Sequence, residues 1–350
     1  MDISKEKQYT LKGIAIVGMM CLHFWGNPQW INEENMYGGV FSSKIYEMAG
    51  HFGNVCVPMF AFLTGYSFFA QKAKWGSGRY RLKKALRFLT EYWVYMALFV
   101  IVGLCCGEKF PRLDILLHNM VGLEVGVGTE YICVPFAWYV SFYLSIIILY
   151  PFLNKILNCK LPLCLFLLII FYGLIEWIHI VTQSRLPVVA EFFRKENTLV
   201  SVYVGYLFGR YRVLDKLLHT KKKLKKEYYV LAIATLICAC ILRCLNPVSL
   251  QNFWGIIYTL FIVVFLCLEM PVIADLWWGR GERETLYILG KYSMGMWFIS
   301  GIFFTPSKKL QCVAYFFKDP VAILIWVVVL TFFLSFIITK GVHFLQTKWS

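Results

Sequence analysis

Lys12-Gly13-Ile14-Ala15-Ile16-Val17-Gly18-Met19-Met20-Cys21-Leu22-His23 is an apolar helical stretch with a cation at one end and an imidazole at the other. An offset of eleven residues turns an α-helix through about three full circles and roughly 20° more, so both side chains lie on one stripe. The rise separates them by on the order of 16 Å along the axis. If the stretch crosses a membrane, Lys12 sits near a mouth and His23 lies deep, like the two ends of a channel. Ionisable groups at that depth are costly and mark functional sites by default.

The rest of the chain supplies the membrane. Over 350 residues, 59% are hydrophobic and the mean hydropathy is +0.63, far beyond a soluble domain. Apolar runs of about twenty residues recur, each long enough to span a bilayer. They predict an all-α integral membrane protein of about ten transmembrane helices, at 9–26, 46–70, 88–106, 136–157, 161–182, 198–214, 227–245, 253–275, 286–305 and 320–342. Leu113 to Pro135, rich in glycine, reads as an outer loop or a re-entrant piece. No loop is long enough to bury a core of its own, so residues 1–350 form one membrane domain. The N-terminus runs into the first apolar stretch without a small-residue cleavage site, and the first span is expected to be retained. No internal repeat suggests a transporter built from two related halves.

A formal net charge of +15 can attract nucleic acid or anionic lipid, and in a chain of spans it belongs to loops facing lipid headgroups. Nucleic acid is therefore no expected partner. With the N-terminus inside, most of the 35 Lys and Arg gather on one side, including Lys72 to Arg87 and Lys221 to Lys226. That asymmetry places both termini in the cytoplasm. The twelve cysteines lack zinc-ligand spacing or a paired framework. Most read as small packing residues, while Cys133 and Cys312 face outside in this topology and are close enough in chemistry to pair.

Besides His23, the ionisable residues at membrane depth are Glu91, Glu176, His179, Arg243 and Glu269. Glu176 and His179 are spaced i, i+3 and can meet on one helix face. A carboxylate beside an imidazole serves catalysis or acceptor binding, and it equally serves a self-neutralised helix interface. Glu91 follows Arg87 by four residues, the spacing of an ion pair at a helix start. The loop Lys72-Ala-Lys-Trp-Gly-Ser-Gly-Arg-Tyr-Arg-Leu-Lys-Lys-Ala-Leu-Arg87 combines cations with glycines. Its cations can grip phosphates or lipid headgroups.

Several of these residues fall in motifs. Leu11-Lys12-Gly-Ile-Ala-Ile through His23-Phe24 resembles the opening helix of acyltransferase family 3, membrane enzymes that O-acylate bacterial surface glycans. In that family a basic residue, more often arginine, precedes a histidine by eleven positions. Pro58-Met-Phe-Ala-Phe-Leu-Thr64-Gly65-Tyr66 is similar to the family's second-span signature. Arg81-Leu-Lys-Lys84-Ala-Leu-Arg87 stands in the place of its arginine-rich inner loop. Trp138-Tyr139-Val-Ser, Tyr150-Pro151 and Leu289-Gly290-Lys-Tyr-Ser293 resemble later segments in the same order. Two positions depart: the signature serine is Thr64, and Ser300 stands where many members have histidine. Some members carry a fused extracellular domain, and none is expected here.

The resemblance implies transfer of an acyl group, chiefly acetyl, from cytoplasmic acyl-CoA to hydroxyls of a surface or exported polysaccharide or its lipid-linked precursor. It implies residence in the bacterial inner or plasma membrane. His23 is then the general base, Lys12, Arg81, Lys84 and Arg87 hold the donor, and Glu176 and His179 are candidates for the acceptor side. No metal or cofactor is implied beyond acyl-CoA as donor substrate. The competing class is a non-catalytic transporter or flippase of polyisoprenoid-linked glycans, which also needs many spans and buried charge but has no reason to bind CoA. A structural subunit of a glycan assembly would tolerate loss of His23.

Overall fold

In a computed structural model the chain is described over residues 4–26, 43–123, 138–182, 196–213, 216, 230, 234, 237, 280–304 and 308–348. The helices are α1 (Lys5–Trp25), α2 (Ser43–Phe52), α3 (Cys56–Ala70), α4 (Lys72–Trp75), α5 (Gly78–Cys105) and α6 (Leu113–Asn119). There follow α7 (Trp138–Leu157), α8 (Leu161–Thr182), α9 (Glu196–Arg210), α10 (Arg280–Ser300), α11 (Lys308–Ala314) and α12 (Pro320–Lys348). Among the described residues all regular structure is helical. Among the described residues four helical runs are long and apolar enough to cross a membrane: Lys44–Ala70, Gly78–Cys105, Trp138–Leu157 and Pro320–Val342. The expected span 227–245 is described only at Val230, Ala234 and Ile237, all helical, and 253–275 lies outside the described residues.

The chain divides into two compact units. The first comprises Met1–Ala70, Asn197–Met296 and Tyr315–Phe332, the second Gln71–Glu196, Trp297–Ala314 and Phe333–Ser350.

Glycines build the first unit. Gly13 of α1 lies directly on the Leu286 backbone of α10, and Gly290 of α10 lies on the backbone of Tyr9 and Gly13. Gly65 of α3 meets the backbone of Val202 in α9, while Gly205 of α9 meets that of Phe62. Such contacts let helix backbones approach where lipid offers no hydrophobic drive between helices, so packing must supply the attraction. The stretch expected as one span at 46–70 is one helical run, Lys44–Ala70, tightened to a 3₁₀ turn at Gly53–Val55. There Gly53 and Gly50 accept the close approach of Gly18 and Gly26 of α1.

The ends of these helices are fastened by side chains. Ser4 Oγ accepts from the Lys7 N–H and caps α1. At its other end the Trp25 Nε1–H donates to the Pro320 carbonyl at 3.0 Å, and its ring meets Tyr46 at 5.2 Å. Asp319 Oδ1 accepts from the Val321 and Ala322 N–H groups, each at 2.9 Å, with Pro320 pre-set in the first turn. That cap fixes where α12 begins, at the residue expected from sequence.

In the second unit, α5 runs 28 residues from a Ser77 cap. It ends at Gly107, whose φ of 92° is left-handed. The Gly107 and Glu108 N–H groups close on the Leu104 and Gly103 carbonyls, the hydrogen-bond pattern of a glycine-terminated helix. The chain then returns along its own helix. Tyr92 Oη–H donates to the Asn119 carbonyl at 2.7 Å, and Trp93 Nε1–H donates to the Met120 carbonyl at 2.8 Å. Tyr92 precedes Cys105 by thirteen residues, about 20 Å of helix. Leu113–Leu123 thus packs back along α5; 124–137 lies outside the described residues.

Aromatic rings fill the rest of this unit. Phe298 packs on Tyr92 and Tyr95, Trp297 on Tyr139 and Trp138. Phe152 joins α7 to α8 through Phe171. The opposite side of α8 exposes Phe166, Ile169 and Ile170, as a lipid-facing surface should. The cysteines among the described residues are free thiols; Cys312 is exposed and Cys133 lies outside the described residues.

Candidate active site

α1 presents the two polar residues that opened the sequence. Lys12 and His23 are both half-buried, and Ile16 and Met19 occupy the same stripe between them. Those two are fully buried, so the stripe faces protein and is packed with side chains along its length. The Lys12 ammonium lies 5.6 Å from the centre of the Tyr9 ring, a favourable cation–π distance. Tyr9 in turn packs edge-on against Tyr287 of α10. At the other end His23 stands in the last turn of α1, next to Phe24, which is buried against Tyr315. Trp25 locks the same turn to α2 and α12. The imidazole is therefore carried on a helix end whose position is fixed by three neighbours.

Sequence reading missed one imidazole. His51 Nε2 lies 3.5 Å from Glu47 Oε1 on α2, a carboxylate–histidine couple one helical turn apart. Its residue follows Gly50, which packs on Gly26 at the end of α1. The signal was available as an i, i+4 Glu and His, the arrangement sought instead at Glu176 and His179. Those two lie on α8, and their side chains are outside the described residues.

The basic loop of the second unit is an ordered turn. The Arg81 Nη1 group donates to the Trp75 and Gly76 carbonyls at 2.8 and 3.1 Å. These are C-terminal carbonyls of α4 that helix geometry leaves without partners, so the guanidinium caps them. Its carbon sits 6.0 Å from the Tyr150 ring centre, which joins the Arg81 and Tyr150-Pro151 motifs in space. Trp75 is buried between Tyr80 and Tyr150. Lys84 lies over Tyr80 at 5.8 Å, while Arg87 is exposed. Lys72 Nζ donates to Asn158 Oδ1 at 2.6 Å, tying α4 to the end of α7.

Other expectations shift with the helix boundaries. The spacing of Arg87 and Glu91 suggests an ion pair at a helix start, but α5 begins at Gly78. The extra turns come from the Ser77 cap, which lies upstream of the apolar run, and they leave Glu91 half-buried near mid-helix. One turn on, the Tyr95 hydroxyl is 3.3 Å from that of Thr339. Thr64 Oγ1 donates to the Phe60 carbonyl at 2.8 Å and Ser300 Oγ to the Trp297 carbonyl at 2.7 Å. Both hydroxyls at the departing positions are thus bonded within their own helices.

The sequence profile of acyltransferase family 3, described as an acyltransferase domain, matches residues 10–340. No curated protein and no solved structure matches the chain significantly. The matched region spans nearly the whole chain and takes in α1 with Lys12 and His23, the α4–α5 turn, and α10. On that match, and with helices apolar and long enough to cross a bilayer, the chain belongs to acyltransferase family 3 and is a membrane acyltransferase.

Proposed function

We propose that this protein transfers an acyl group, chiefly acetyl, from cytoplasmic acyl-CoA to a hydroxyl of a surface or exported polysaccharide or its lipid-linked precursor. It does so as a bacterial inner-membrane protein of about ten spans with both termini in the cytoplasm. The observation that carries the reading is the half-buried pair of Lys12 and His23 on one inward stripe of α1, inside the family match. His23 is the general base. It takes the proton of the acceptor hydroxyl as that oxygen attacks the thioester carbonyl, and it returns the proton to the departing thiolate. One ester forms, one thioester breaks, and CoA leaves as the thiol. An imidazole suits both transfers because one ring nitrogen can take up a proton and give it back.

The donor is a polyanion, which explains the cations. Lys84 and Arg87 grip its phosphates, with Arg81 acting from a guanidinium already set by two carbonyls. Lys12 adds positive charge toward the donor at the start of α1. Glu176 and His179 are assigned to the acceptor side. In a transfer assay with purified protein, His23→Ala loses about 10²–10⁴-fold in rate while CoA titration shows unchanged affinity. A variant that transfers at the normal rate removes His23 from the chemistry, and a protein that fails to bind CoA is a transporter instead.

A further inference from the structure

At the end of α6 the His118, Asn119 and Met120 carbonyls are all hydrogen-bonded. Gly122, at φ 77°, and Leu123 donate their N–H groups to the carbonyls of Asn119 and His118. This is a glycine-closed helix end. The Asn119 carbonyl also takes the Tyr92 hydroxyl, and the Met120 carbonyl takes the Trp93 indole. Two side-chain atoms are not provided for. Asn119 is 0% exposed and spends its Nδ2 amide on the Ile115 carbonyl at 2.9 Å, yet its Oδ1 is buried without a hydrogen-bond partner. The neighbouring His118 Nδ1 is buried and unbonded as well.

Buried polar atoms without partners are rare and call for an explanation. Here two occur on consecutive residues, in a segment that folds back about 20 Å along an apolar helix. Irregular backbone at such depth is tolerated where protein covers it or where it lines a polar path. Tyr92 and Trp93 cover the carbonyls; among the described residues nothing of the kind serves the side chains.

We propose that Asn119 Oδ1 and His118 Nδ1 form a hydroxyl-binding subsite for the acceptor, an inference that rests on the acyl-transfer reading above. The chemistry selects the ligand class. Asn119 Oδ1 can only accept, so its partner must bring an O–H or N–H. A neutral imidazole nitrogen accepts or donates according to its tautomer. Adjacent hydroxyls of a neutral sugar meet both demands, whereas a phosphate or carboxylate offers no donor to Oδ1. The segment also enters from the end of α5 opposite the basic stretch Arg79 to Arg87, which carries the Arg81, Lys84 and Arg87 assigned to the anionic donor.

The test uses the full-length protein in detergent and two variants, Asn119→Leu and His118→Phe, which keep volume and remove the polar atoms. The probe is the host's surface polysaccharide, stripped of O-esters by mild alkali. Glycan binding, CoA binding and thermal unfolding are measured for each. The proposal expects glycan affinity to fall about tenfold in both variants, with CoA affinity unchanged. His118 is partly exposed, so its variant decides the matter if Asn119→Leu does not fold. Unchanged glycan affinity in a folded variant overturns the subsite, and a loss of CoA affinity in its place assigns the pair to the donor arm and overturns it equally. If the unvaried protein binds CoA but not glycan, the polysaccharide reading falls first and takes the subsite with it.

Discussion

Gly290→Ala tests the architecture at its tightest point. A Cβ built on Gly290 runs into the Tyr9 carbonyl and the Gly13 backbone, so α1 and α10 must separate. Alanine favours a helix interior over glycine by up to about 1 kcal/mol. Overpacking a close contact costs about 1–3 kcal/mol, and the obstacle here is backbone rather than a movable side chain. The net expectation is destabilisation by about 1–2 kcal/mol. Gly173→Ala supplies the control, because nothing lies within 4 Å of a Cβ there, and it should be neutral or gain up to about 1 kcal/mol. The assay is thermal unfolding in one detergent, read as a ranking because membrane proteins often unfold irreversibly. Gly13→Ala, at the same crossing, should be markedly non-additive with Gly290→Ala. Gly65→Ala, at the α3–α9 crossing, should add to it more nearly. Refutation is simple: Gly290→Ala as stable as the unvaried protein, with Gly173→Ala no better.

Three further outcomes follow from single contacts. Trp25→Phe keeps the ring stack on Tyr46 and loses the bond to the Pro320 carbonyl, which should lower stability by about 0.5–1.5 kcal/mol; unchanged unfolding would mean the bond fixes nothing. Arg81→Lys keeps the charge but not the fork that caps α4, so amide exchange in Lys72–Gly76 should rise and CoA affinity should fall; an exchange pattern like that of the unvaried protein contradicts the cap. Tyr92→Phe frees the Asn119 carbonyl, and exchange should quicken at Leu113–Leu123 while the first turns of α5 stay protected. Uniform loosening of α5 would place the role of Tyr92 in packing alone.

Helix positions were legible because each depends on local chemistry. The apolar runs at 161–182 and from 320 coincide with α8 and the start of α12, since a run of apolar residues acts within a few turns. The 3₁₀ tightening at Gly53–Val55 was hidden, because it lies against the Gly18 and Gly26 backbone at another helix. The same blindness affected the motifs. Thr64-Gly65-Tyr66 drew attention to its hydroxyl, yet Gly65 makes the helix crossing and the Thr64 hydroxyl bonds within its own turn. Arg81 read as a free phosphate fork, and its partners are carbonyls five and six residues upstream. Helical periodicity puts Lys12 and His23 on one stripe of α1. That periodicity could not show Ile16 and Met19 packed between them, because burial is a property of neighbouring elements.

The central claim is that His23 on α1 performs acyl transfer to a glycan hydroxyl. Mass analysis of the surface polysaccharide from cells lacking the protein, restored with either the unvaried chain or His23→Ala at equal membrane levels, tests it most directly. The account predicts that the unvaried chain restores the mass increment of an acyl ester and that its loss on mild alkali returns the deletion spectrum. His23→Ala should leave the glycan indistinguishable from the deletion. Full acylation by His23→Ala, or a glycan of identical mass in all three strains, contradicts the claim.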